Sequence, residues 1–187
     1  MFDWFRKKQP DEKMLASLMK AAAEGAERAR AVRALATIDI QIDPTFDDQK
    51  FCVSAVVGII RNLAKATELT PIWLDDDHRF VAGIFAFTLS NALSYRLGTL
   101  FEVTASTSAF ILIAVGDDES VDVDARDVDD IASVYNDLIT KGRIIEAIGT
   151  TFSRWLVTPT QENYSSLAAL YKLLGENVGS RDSSGLV

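Results

Sequence analysis

Apolar residues recur every three or four positions along most of the chain, in stretches separated by prolines, glycines and acidic runs. That spacing is helical periodicity. The stretch from Asp11 to Ala36 is built largely from Ala, Leu, Met, Glu, Lys and Arg, the strong helix formers. Within it Leu15, Leu18, Ala22, Gly25, Ala29, Val32 and Ala36 make a heptad-like seam of mostly small residues. Small side chains admit a second helix at close range. The seam therefore predicts either a helix lying on its own domain or one that pairs across a homodimer. Residues 37–43 alternate polar with β-branched side chains and predict a short extended segment, ended by Pro44. Thr45 followed by Asp48 resembles a capping box with Asp in place of Glu. It would open a helix over 46–69, with Val53, Val56, Val57, Ile60, Leu63 and Ala64 on one face.

Asp75, Asp76 and Asp77 mark the start of the next helix, and Gly98 its C-terminal cap. Phe80, Val81, Ile84, Phe85, Phe87, Leu89 and Leu93 wrap nearly all round it, so the helix over about 76–97 is predicted to be buried at the centre of the fold. Thr99 to Val115 carries β-forming residues without a strong cap; it is read as a helix, with a strand pair as the alternative. The period returns with Ile131, Val134, Tyr135, Leu138 and Ile139, capped by Asp127 and stopped near Gly142. A further helix follows through Ile144, Ile148, Phe152, Trp155 and Leu156. Thr158-Pro159-Thr160-Gln161 reads as a cap with proline at the first helical position, opening a last helix to about Leu174. The prediction is one all-α domain over 1–175, a bundle of six or seven helices. Residues 1–10 form an N-terminal aromatic and basic segment, and 176–187 a flexible C-terminal tail. No repeat and no Pro- or Gly-rich linker divides it.

Composition narrows the chemistry. A chain of 187 residues, 48% apolar and 25% charged, can bury a core without staples. The single cysteine, Cys52, lies in the apolar run FCVSAVVGII and reads as a buried thiol. With His78 the only histidine, nitrogen-and-sulfur metal sites are disfavoured. The N-terminus has no secretory signal pattern, which points to the cytoplasm. The apolar stretch from Val103 to Val115 falls short of the roughly 20 residues that span a bilayer, so no transmembrane segment is expected. The net charge of −8 is unevenly spread: basic residues prevail before residue 37, and acids heavily outnumber them after it. Such a body repels phosphate backbones, so nucleic acid is not an expected partner. It attracts a basic protein surface.

Two acidic clusters invite metal chemistry. DDESVDVDARDVDD, from Asp117 to Asp130, fails the calcium-loop pattern. Counted from Asp118, the sixth position is Val123 instead of glycine and the twelfth is Asp129 instead of glutamate. Asp129 and Asp130 suit the first turn of a helix, where the dipole favours acids. Asp117, Asp118, Glu119, Asp122 and Asp124 lie too early for that and remain as a solvated loop or a contact surface. In LDDDHRF, Asp75, Asp76 and Asp77 lack the third acid that diphosphate-handling helical enzymes place three residues on. Helix capping explains them, with His78 near the surface. Neither a phosphate-cradling glycine loop nor a nucleophile elbow occurs. In MFDWFRKK, the rings of Phe2, Trp4 and Phe5 beside basic residues suit packing on the domain or weak contact with a membrane surface. Trp73 is either a lid on the core or an exposed anchor.

The expected function is therefore non-catalytic. The acidic surface masks or engages a basic protein partner, as an inhibitor or immunity-type protein does, or as a chaperone or adaptor does. Contacts are expected from Asp117, Asp118, Glu119, Asp122, Asp124 and Trp73, with no cofactor. The competing expectation is a carboxylate-metal hydrolase of phosphate-containing small molecules, using Asp75–Asp77 with the 117–130 cluster.

Overall fold

A computed structural model describes the backbone of residues 12–69, 76–98, 107–111, 113 and 125–178. Six helices have defined bounds: α1 (Glu12–Ala36), α2 (Asp48–Ala66), α3 (Asp76–Leu97), α4 (Ala125–Lys141), α5 (Ile144–Val157) and α6 (Gln161–Val178). Residues 107–111 and 113 are helical as well, in agreement with a helix within 99–115. There is no strand among the described residues, and the chain is an all-α bundle.

α3 is the central helix. It packs against α1, α2, α4, α5 and α6 alike, and every residue from Val81 to Ser90 is buried. Phe85 stands edge-on to Tyr171 of α6, ring centroids 4.8 Å apart. Trp155 of α5 lies against Tyr164 of α6 at 5.4 Å. Cys52 is fully buried on α2, its Sγ 3.7 Å from the Ser94 hydroxyl. His78–Leu97 has the length and apolarity to cross a bilayer, but 72% of its most apolar window lies inside the protein. Gly98 ends α3 with φ +68°, where the absence of a Cβ removes the strain.

Several local expectations need correction. Of its small-residue seam, α1 packs only Val32 against the core. It buries Ala31, Ala34 and Leu35, while Leu15 and Leu18 stay about half exposed. Residues 37–39 are a turn, not part of an extended segment. Asp39 takes φ +59°, and the Ile40 amide donates back to the Leu35 carbonyl at 3.0 Å. This is a left-handed helix stop, with Ile38 buried and Ile40 packed on the core. α2 ends the same way at Glu68, φ +56°.

Thr45 does not cap α2. Asp47 does, accepting from the Lys50 amide at 2.8 Å. Thr45 instead donates its amide and hydroxyl to the Asp43 carboxylate at 2.8 and 2.7 Å, which holds that carboxyl below its ordinary pKa. α4 starts at Ala125, so Asp127 lies in its first turn and is not its N-cap. Thr160 caps α6, accepting from the Asn163 amide at 3.3 Å, and Pro159 stays outside the helix. α6 runs on to Val178, beyond Leu174. His78 is buried, not near the surface; its ring lies close to Gly175 of α6.

One arginine ties α1 to the start of α2. Arg28 donates to the carbonyls of Pro44 and Phe46, pairs with Asp48, and sits over the Phe51 ring.

Candidate functional site

The sequence-derived contact residues are unevenly placed. Trp73, Asp75, Asp117, Asp118, Glu119, Asp122 and Asp124 lie outside the described residues, as do Phe2, Trp4 and Phe5. Asp76 and Asp77 occupy the first positions of α3. What the structure does show is the helix that continues the acidic run. α4 turns Ile131 and Tyr135 into the core and packs Val128, Val134 and Leu138 against it. The same register leaves Asp129, Asp130 and Asp137 exposed on the outer side. At 3.6 residues per turn these three share one face with Arg126 and Ser133. These three acids are thus held outward by the apolar residues opposite them.

α4 also forms one wall of an open cleft of ≈ 720 Å³ between α1, α3, α4 and α5. Thr88, Asn91, Tyr95 and Arg96 of α3 line it together with Ala92, a polar stripe at helical spacing along the central helix. Asn91 donates to the Tyr135 hydroxyl at 2.6 Å. Burial pushes the Tyr135 pKa up, against the opposing pull of its hydrogen bonds to Asn91 and Thr88. Arg96 bridges Glu27 of α1 at 2.9 Å and the Ser153 carbonyl of α5 at 3.5 Å, and Glu27 also pairs with Arg30. Beside these groups on α3, Tyr95 is 85% exposed.

The charges in the cleft are spent on one another. It offers hydrogen bonds and an aromatic face, and its arginine serves as a strut between helices. Among the described residues no three of His, Cys, Asp and Glu come together as a metal-binding group. This cleft was missed in the sequence. The signal present was the run of Thr88, Asn91, Tyr95 and Arg96 at spacings of three, four and one, which a purely apolar buried helix would not carry.

The chain matches no protein-family model, no curated protein and no solved structure. Fold and surface are therefore the grounds for a functional reading.

Proposed function

We propose that this is a non-catalytic, cytoplasmic protein-binding protein whose acidic surface engages a basic protein partner, as an inhibitor or immunity-type protein, or as a chaperone or adaptor. The observation that supports this most is the orientation of α4. Its apolar side is anchored in the core, so Asp129, Asp130 and Asp137 extend outward the acidic run that begins at Asp117. An acidic surface of this kind accelerates encounter with a basic partner and penalises acidic ones. Affinity would come from apolar anchors, Trp73 among them.

The test is a paired capture from the native host's lysate at low salt. Wild-type protein is compared with a variant carrying Asn at positions 117, 118, 122 and 124. A basic protein retained by the wild type and lost from the variant is the expected result. Identical retained sets, or retained proteins that are neutral or acidic, refute the reading.

A further inference from the structure

We infer that the outward face of α1 is a homodimer interface, formed by two antiparallel copies of the helix. This surface is separate from the acidic one, and the two stand or fall independently.

α1 is amphipathic the wrong way round for a helix that serves only its own domain. Its body side carries Ala31, Ala34 and Leu35, but also Glu24, Glu27 and Arg28, which are half-buried. Roughly 150° round the helix lies the opposite face, where between Glu12 and Ala29 no charged residue falls. That face holds Met14, Leu15, Leu18 and Met19, exposed by 57, 47, 56 and 68%. Ala22, Gly25, Ala26 and Ala29 follow on the same side, all exposed. A side chain built on Gly25 would meet nothing within 4 Å. Four large apolar side chains clustered in solvent on one helix form a patch that marks an interaction site.

The occupant is argued from size and charge. The first half of the face is large and the second half small. Reversing a second copy about a twofold axis near position 20 sets Leu15 against Gly25 of that copy and Leu18 against its Ala22, and the same contacts repeat on the other side of the axis. Met19 then meets its own counterpart. Large on small in these four layers allows close helix approach, and the relation is self-complementary, as a twofold interface requires. A parallel pair would stack large on large and leave the small half gapped. The face offers no carboxylate to a basic partner, so it does not duplicate the acidic surface. It points away from the core on which the C-terminal half of α1 packs.

A strip about 27 Å long and about 10 Å wide on each copy buries roughly 500 Å² in total. That is below a standard specific interface and predicts a weak, concentration-dependent dimer. Each copy carries −8, so added salt should strengthen self-association by screening repulsion.

The experiment is sedimentation velocity of the full chain across a concentration series, at low and high salt. The wild type should shift from monomer to dimer, at lower concentration in high salt. Leu18→Glu should shift the transition by more than tenfold in concentration while leaving the helical circular dichroism unchanged. Ala22→Leu should also weaken the dimer, because it sets leucine on leucine. With Leu15→Cys and Gly25→Cys combined, oxidation should cross-link an antiparallel dimer, while Leu15→Cys alone should not. A wild type that stays monomeric throughout overturns the inference, whether or not it binds anionic vesicles. So does an Ala22→Leu variant that associates more tightly, or cross-linking through Leu15→Cys alone.

Discussion

Tyr164 and Tyr171 carry phenol groups into the core, and burial pushes both pKa values well above the ordinary value of about 10. The unfolded chain therefore releases these protons first as pH rises. Their contribution to stability is full below about pH 10 and is lost above it, by up to about 1.4 kcal/mol per pH unit for each group. The melting temperature should fall steeply above about pH 10, and Tyr171→Phe should flatten that fall; a wild-type profile with no alkaline limb would contradict the burial. At this scale the sequence was only partly legible. Asp43, Thr45, Asp47 and Asp48 can all cap a helix, and they lie within six residues. Pattern alone does not say which oxygen meets which amide. The backbone gives the cap to Asp47 and turns Thr45 back onto Asp43. Asp39 and Glu68 were equally hidden, since left-handed helix stops usually announce themselves with glycine.

Helices were the most legible level, and α3 shows why. A segment apolar on nearly all sides can only be buried, so its central place followed from composition along the helix. α1 shows the limit. Periodicity reveals that a face exists but not what it meets, and the conspicuous seam, Val32 apart, faces away from the body. Contacts between elements depend on single residues that carry no sequence signal. At Gly83 of α3 an added Cβ would lie 2.6 Å from the Cγ2 of Ile131 on α4. Gly83→Ala gains up to about 1 kcal/mol in helix propensity, whereas overpacking a closed contact costs about 1–3 kcal/mol. The cost should win. Chemical denaturation should show Gly83→Ala less stable than wild type, and in a double-mutant cycle with Ile131→Ala the two losses should be less than additive. A stabilised Gly83→Ala would mean that α4 does not seat on α3 as described.

At the scale of the whole molecule, polar pairings join helices that are far apart in the chain. The strut from Glu27 to Arg96 joins residues 69 apart in the chain, and Asn91 to Tyr135 joins residues 44 apart. Pairings at that separation cannot be read from spacing, which is why the cleft they frame went unseen. The acidic run was visible at once, and α4 supplies the reason why part of it faces outward. The two proposed surfaces respond to salt in opposite directions: pairing through α1 strengthens as repulsion is screened, and capture of a basic partner weakens.

The most direct measurement is the association rate of the captured partner with wild-type protein and with the four-Asn variant, followed across ionic strength. The wild-type rate should fall steeply with salt, and the variant should be slower at low salt and nearly salt-independent, with an unchanged circular dichroism spectrum. Equal rates for the two proteins at every salt concentration would contradict an acidic contact surface.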